Sequence, residues 1–401
     1  MTRMKESGID WIGQIPEEWK VTKLKYVLLI SNGKDYKDIE VEEGGYPVIG
    51  SGGVFARARN YMYDGDVVLL GRKGTIDKPL FYSGKFWTVD TMFYSTALNG
   101  NNIKFMYYSS LLIPFSYYST ATALPSMTQS DLNNHVLCLP SISEQQKIAD
   151  FLDKKTAQLD KAKSLLEEQI QKLKDYRASL IYETVTKGLD KDVPMKDSGI
   201  DWIGQVPQGW GIDFANHIFE EHKQKNKGNK EKNLLSLSYG RIIRKSIDTS
   251  FGLLPESFDT YNIIQRGDIV LRLTDLQNDK KSLRVGLARE NGIITSAYLT
   301  LRLKSIGCSD SYMYYLLHTY DICKVFYNFG GGVRQGGTWS DIYKLELLIP
   351  PYNEQTKITD FLDKKTVQID KLIKIKNQQI ENINKQRQTL IYDYVTGKRR
   401  V

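Results

Sequence analysis

Sixteen residues near the start of this chain, MKESGIDWIGQIPEEW at 4–19, return at 195–210 as MKDSGIDWIGQVPQGW, with about twelve of the sixteen unchanged. A second block, EQQKIADFLDKKTAQLDK at 144–161, returns as EQTKITDFLDKKTVQIDK at 354–371, and LIYETVTKG at 180–188 returns as LIYDYVTGK at 390–398. A chain written twice folds as two copies of one unit. Its 401 residues allow that, at roughly 100–200 residues per domain. Simple tandem duplication would let similarity decay evenly along each copy. Here the flanking blocks are held while the centres, 20–143 and 211–353, diverge. Weak echoes survive inside them: DGDVVL at 64–69 against RGDIVL at 266–271, and Ser130-Asp131-Leu132 against Ser340-Asp341-Ile342. The pattern implies one scaffold presenting two different binding surfaces.

Residues 144–186 contain neither Pro nor Gly, so one helix can run about 43 residues, with Pro140 and Ser143-Glu144 before it and Gly188 as its stop. Apolar residues at Ile148, Leu152, Leu159, Ala162, Leu166, Ile170, Leu173, Tyr176 and Leu180 form a narrow stripe of coiled-coil type. The second copy repeats it through Ile358, Leu362, Ile369, Leu372 or Ile373, Ile380, Ile383 and Leu390. A lone amphipathic helix of this length leaves its stripe in water. Packing the two helices against each other buries both stripes. Because the chain leaves the first, builds a domain and returns, the pair should be antiparallel, with one variable domain near each end. Homodimerisation through the same stripe is the alternative. The fold class expected is α+β: two domains of mixed α/β structure separated by two long antiparallel helices forming a coiled coil, the whole duplicated about a pseudo-twofold. Boundaries fall at 1–143, 144–190, 191–353 and 354–401.

The variable regions alternate short β-type runs (YPVIG, DVVLLG, KFWTV, MFYSTAL; then LLSLSYG, DIVLRLT, RVGLA, AYLTLRL) with Gly and Asn-Gly turn signals, and helix-like stretches lie near Ile103–Ser110 and Ser311–Phe326. Residues suited to recognition sit in the turns. In the first region they are Arg57 and Arg59 beside Asn60 and Tyr61, then Arg72, Lys73 and Thr75 in GRKGT, and Gln129 after Ser126, Met127 and Thr128. In the second they are Arg241, Arg244 and Lys245 after Tyr239, then Arg272, Thr274 and Lys280 in LRLTDLQNDKK, and Arg334 and Gln335 in GGGVRQGGT. Such side chains read base edges and hold phosphates, and Gly-rich turns let backbone N–H groups approach phosphate. Each taken alone also fits a solvated loop. The Lys-rich run HKQKNKGNKEK at 222–232 reads as a mobile surface loop.

Charge agrees without deciding. The chain is +8 overall, with no single stripe: 20–143 is +2, 211–353 is +4, 144–190 is neutral and 354–401 is +5. Catalytic signatures are missing. Pro350-Pro351-Tyr352 resembles the tail of the amino-methyltransferase loop, but its amine-accepting first position is Ile349. GRKGT lacks P-loop spacing, and His135, His217, His222 and His318 lack metal-ligand spacing. There is no G-x-S-x-G elbow. Cys138, Cys308 and Cys323 are too scattered for a disulfide frame, and the start lacks an apolar signal core, so a reduced cytoplasm is expected, with no membrane partner. No catalysis by this chain itself is expected.

This layout resembles the specificity subunits of type I restriction-modification systems. The resemblance covers essentially the whole chain. It rests on the SGIDWIGQIPEEW-type block, the Pro-preceded EQ-x-KI-x-x-FLD helix openings and the two dissimilar regions between them. It implies that each variable region is a target-recognition domain for one half of a split double-stranded DNA site. It implies that the helices set the half-site spacing and dock methyltransferase subunits, two of them. It also implies that S-adenosylmethionine sits on that partner, that ATP and Mg belong to a restriction endonuclease subunit, and that this chain binds no cofactor. The reading from another class is a tandem ligand-binding module on a coiled-coil scaffold without DNA specificity.

Overall fold

The computed structural model describes residues 3–119, 125–246, 257–274, 283–328 and 337–401. They form two compact units: Met1–Glu167 with Asn377–Val401, and Glu168–Lys376. Two long helices, Ile142–Lys187 and Tyr352–Val395, each give one half to each unit. At 1.5 Å per residue they are about 65–70 Å long. The first starts just before the expected position, because the Ser141 hydroxyl accepts from the Glu144 N–H at 3.3 Å. It stops at Gly188, whose φ of 76° is a left-handed helix end. Gly397 plays that part for the second helix, and a Cβ there would come within 2.4 Å of Pro16 Cδ.

Within each unit the helices run antiparallel. In the first unit Phe151 stacks on Tyr394 with ring centroids 4.5 Å apart, and nine residues further along, Asp160 meets Arg387. In the second, Lys376 donates to Gln169. The buried seam follows Ile148, Leu152, Ile170, Ile181 and Val185 on one helix and Ile358, Leu362, Ile369, Ile391 and Val395 on the other. Tyr176 does not belong to it and is exposed. Counting from Ile170 in steps of three and four reaches Arg177 and then Ile181, which leaves Tyr176 about 100° off the stripe. Leu372 is likewise exposed, and Ile373 takes the seam position.

The repeated motifs are the clasps that fasten everything else to these helices. Gln145 and Gln355 are buried, and each reaches back to the proline carbonyl that precedes its helix, Pro140 at 3.1 Å and Pro350 at 2.9 Å. Their side-chain oxygens accept the N–H of Asn102 at 2.9 Å and of Ser309 at 2.8 Å, the residues that cap the next helix in each variable region. One residue earlier, Glu144 and Glu354 accept the indole N–H of buried Trp19 and Trp210, both at 3.0 Å. Tyr108 and Tyr315 donate to Asp153 and Asp363 at 2.8 and 2.6 Å, and burial pushes both phenols up, so they stay protonated donors. Each SGIDWIG block folds as a small hairpin, Met4–Glu6 on Gln14–Pro16 and Met195–Asp197 on Gln205–Pro207. Tyr392 and Tyr182 donate to the carbonyls of Trp11 and Trp202 in these blocks. The amino-terminal block of the first unit therefore sits on the carboxy-terminal helix, where Lys398 also donates to the Ile12 carbonyl at 2.7 Å.

Each variable region begins and ends in one antiparallel strand pair, Lys20–Lys23 with Val136–Leu139 and Gly211–Phe214 with Glu346–Ile349. Between them the first unit builds a seven-stranded sheet in the order Leu28–Asn32, Met92–Ala97, Tyr63–Gly71, Leu80–Thr88, Tyr46–Gly50, Gly53–Ala58, Glu40–Val41. Its neighbours are antiparallel except Tyr46–Gly50 against Leu80–Thr88. The described residues of the second unit form a four-stranded sheet, Phe219–Glu221, Leu299–Leu303, Ile269–Leu271, Val285–Leu287, with small two-stranded pieces around it. The helix-like stretches are helices at Ile103–Ser110 and Asp310–Ile322. The Lys-rich run is not the free loop expected. Asn226 is fully buried and bridges to both backbone groups of Glu231, while Lys225 donates to Thr260 and Asn262, so local amide chemistry outweighs the charge. No helix among the described residues is long and apolar enough to cross a membrane.

Replacing Gln145 by Ala removes the partner of a buried backbone N–H and of a carbonyl together, and should cost about 1–3 kcal/mol of stability. Gln158→Ala, exposed on the same helix, should cost nothing. Urea unfolding of the two variants beside the parent chain checks this.

Candidate nucleic-acid interface

In the first unit the fold joins two of the loops that the sequence singles out. Residues 71–75 follow the strand Tyr63–Gly71 and are zipped to 125–127: Gly74 N–H donates to Pro125 at 2.9 Å, Met127 N–H donates to Arg72 at 2.9 Å, and Lys73 bridges to Ser126. The following Thr128 and Asp131 form a capping box on the short helix Gln129–Asn134. The second unit repeats the arrangement. Gly337 N–H donates to the Leu273 carbonyl at 2.7 Å, and Thr338 with Asp341 caps Trp339–Ile342. Arg72, Lys73, Thr75 and Gln129 thus share one edge of the first unit. Arg57 and Arg59 lie elsewhere, because their strand is separated from Tyr63–Gly71 by two others in the sheet.

Several of these side chains already have work inside the protein. Arg57 donates to the carbonyls of Gly44 and Gly45, which ties down the turn before its hairpin. Gln129 donates its amide to Ile30 at 2.7 Å, so it braces the sheet edge. Arg72 lies over the Phe93 ring and donates to the Asp90 carbonyl at 3.2 Å. Arg241 is paired with Asp370 on the second long helix, and Arg244 with Glu290. The exposed side chains of Arg59, Lys73, Thr75 and Lys245 carry no side-chain bond among the described residues. Thr274 is exposed three residues beyond the strand Ile269–Leu271, and its carbonyl is held by Arg284 at 2.6 Å. Lys280, Arg334 and Gln335 lie outside the described residues.

Tyr239 and Gly240 make a two-residue hairpin turn between Leu235–Ser238 and Arg241–Arg244. Tyr239 is 81% exposed with a φ of 47°, so a left-handed backbone displays an aromatic ring to solvent. The turn is held from below, where the Tyr314 hydroxyl donates to the Gly240 carbonyl at 3.2 Å.

Sequence reasoning missed Arg284. It is fully buried and donates to the carbonyls of Arg272 at 3.1 Å and Thr274, so it fixes the backbone of residues 272–274, just after Ile269–Leu271. Its place in RVGLA, an otherwise apolar run, was the available signal, since a buried guanidinium needs acceptors around it. The roles of Gln145, Gln355 and the two tryptophans were also missed, although repetition had marked them as constant.

The arrangement offers exposed cations and hydroxyls on rigidly braced loops, which suits contacts to phosphates and base edges. The family model described as "Type I restriction modification DNA specificity domain" matches residues 16–174 and 262–385. Among curated relatives, the putative type I restriction enzyme MjaX specificity subunit of Methanocaldococcus jannaschii is 24% identical over 97% of this chain and 96% of its own length. The type I restriction enzyme MjaVIII specificity subunit of the same organism is 22% identical over 97% of this chain and 94% of its own. A chain from a structural study of complex assembly and conformational transition in the type I R-M system superposes with a TM-score of 0.68 at 14% identity. That match covers 96% of this chain and 99% of the other, so the fold is shared from end to end. With two copies of the same clasp around two divergent faces, and with the family model matched over most of its length, the chain belongs to the type I restriction modification DNA specificity domain family.

Proposed function

We propose that this chain is the non-catalytic DNA-reading subunit of a type I restriction-modification complex, each variable domain reading one half of a bipartite duplex site. The observation that carries the reading is the contrast between the constant clasps and the two different faces inserted between the paired strands 20–23/136–139 and 211–214/346–349. The long helices set the half-site spacing and dock two methyltransferase subunits, which supply S-adenosylmethionine chemistry. Endonuclease subunits bring ATP and Mg, and this chain binds no cofactor itself. The complex works in the cytoplasm.

Methylome sequencing of a host carrying the complex tests this. A split, asymmetric motif is expected, and a contiguous palindrome would contradict it. Inserting four residues near Ser164 lengthens the first helix by about 6 Å. The methylated spacer should then grow by about one or two base pairs at roughly 3.4 Å each, with both half-sites unchanged. Arg72→Ala with Lys73→Ala should weaken DNA binding and leave subunit assembly intact. The loss is about 1–3 kcal/mol at one base position if a bidentate contact is removed, and uniform across sequences if the contact is to phosphate. Competition binding against a panel of single-base variants separates the two.

A further inference from the structure

The two copies differ in charge at one matched place. In the first unit the helix carboxylates Asp153 and Asp160 face Lys104 and Arg387, two against two. The matching residues of the second unit, by the spacing of the repeated helix, are Asp363, Asp370 and Arg177. There Asp370 is taken by Arg241 from the hairpin, and Asp363 lies 3.5 Å from Arg289 and accepts the Tyr315 hydroxyl. Arg177 is left over. Its Nε, like that of Arg387, is buried without a hydrogen-bond partner, but among the described residues the Arg177 guanidinium has no ion pair, whereas Arg387 lies 3.5 Å from Asp160.

Arg177, Arg241, Arg289, Asp363 and Asp370 line one cavity of about 450 Å³, together with Gly240 of the hairpin turn. Three guanidiniums meet two carboxylates, so the cavity is one negative charge short. Two neighbours register the excess: the Tyr314 phenol, which burial raises, is pulled back by all three arginines, and His318 is pushed down to about 4 by burial and by Arg177. A part-buried guanidinium without a carboxylate partner favours an anion that completes the set, and guanidinium groups match the oxygens of a phosphate.

We propose that Arg177, Arg241 and Arg289 form an anion site that takes one phosphodiester group of the DNA backbone. A phosphodiester carries the single charge that is missing. Inorganic phosphate offers the same oxygens, so the test separates the two sources. The site deepens the DNA-reading role proposed above and rests on it. Arg241, a candidate DNA contact from the sequence, belongs to this cavity.

The test measures DNA affinity of the full-length chain, assembled with its methyltransferase subunit, across a salt series. Arg177→Gln should weaken binding to specific and unrelated DNA alike by roughly tenfold and flatten the slope of log affinity against log salt by about 0.9. Arg289→Ala, a change at a more exposed side chain, should act in the same direction, which guards against a folding defect in Arg177→Gln. Arg387→Gln, at the balanced position of the first unit, should leave the slope unchanged. An unchanged slope in both Arg177→Gln and Arg289→Ala overturns the phosphodiester assignment. Inorganic phosphate added to the full chain supplies the second arm. If it raises the melting temperature of the parent but not of Arg177→Gln while the slopes are unaltered, the ligand is free phosphate and the DNA assignment fails. If the parent complex binds no DNA, the DNA-reading role fails, and the phosphate arm alone then decides whether an anion site exists.

Discussion

Everything else in this fold depends on a buried glutamine amide at the start of each long helix. Gln145 and Gln355 are at most 1% exposed, and each ties together the strand that ends a variable region, the helix that follows it and the cap of a helix within that region. A buried amide without partners would cost several kcal/mol, so this geometry tolerates little change. The neighbouring glutamate, holding an indole N–H, gives the same joint a second direction. Together they make a mount onto which different surfaces can be fastened without redesign of the scaffold.

The mount explains the pattern of sequence divergence. Each variable region enters and leaves through one strand pair, so its ends are neighbours whatever lies between them. Among the described residues, the seven-stranded sheet of the first unit and the four-stranded sheet of the second are different solutions inserted at equivalent points. The helix pairing also changes where the second variable region leans on it. Arg241 takes Asp370, and the balance still seen at Asp160 and Arg387 is broken in the other copy.

Much of this was legible from residues alone. The repeats marked the two copies, the absence of Pro and Gly gave the helices, and the β-type runs located eight strands, most of them in the central sheets, while the short hairpins and the strand pairs that open and close each variable region went unseen. The expected seam matches at Ile148, Leu152, Ile170, Ile358, Leu362 and Ile369. An apolar-residue rule chose Tyr176 over the arginine that helical geometry places on the stripe, and so put the far ends on Leu180 and Leu390 in place of Ile181 and Ile391. The binding residues were less legible, for a physical reason. A surface arginine and one that braces a turn look the same in sequence, because what separates them is an acceptor far along the chain: Gly44 for Arg57, Asp370 for Arg241, Glu290 for Arg244. Lysines at 222–232 misled in the opposite way, since the buried Asn226 organises that segment.

The central claim is that a constant clasp carries an exchangeable reading surface. Replacing residues 24–135, the stretch between the first strand pair, with the matching stretch of a relative tests it most directly, by methylome sequencing of a host expressing the chimaera. The account predicts an assembled, active complex whose methylated motif changes in one half and keeps its other half and its spacer. A change in both halves would contradict it.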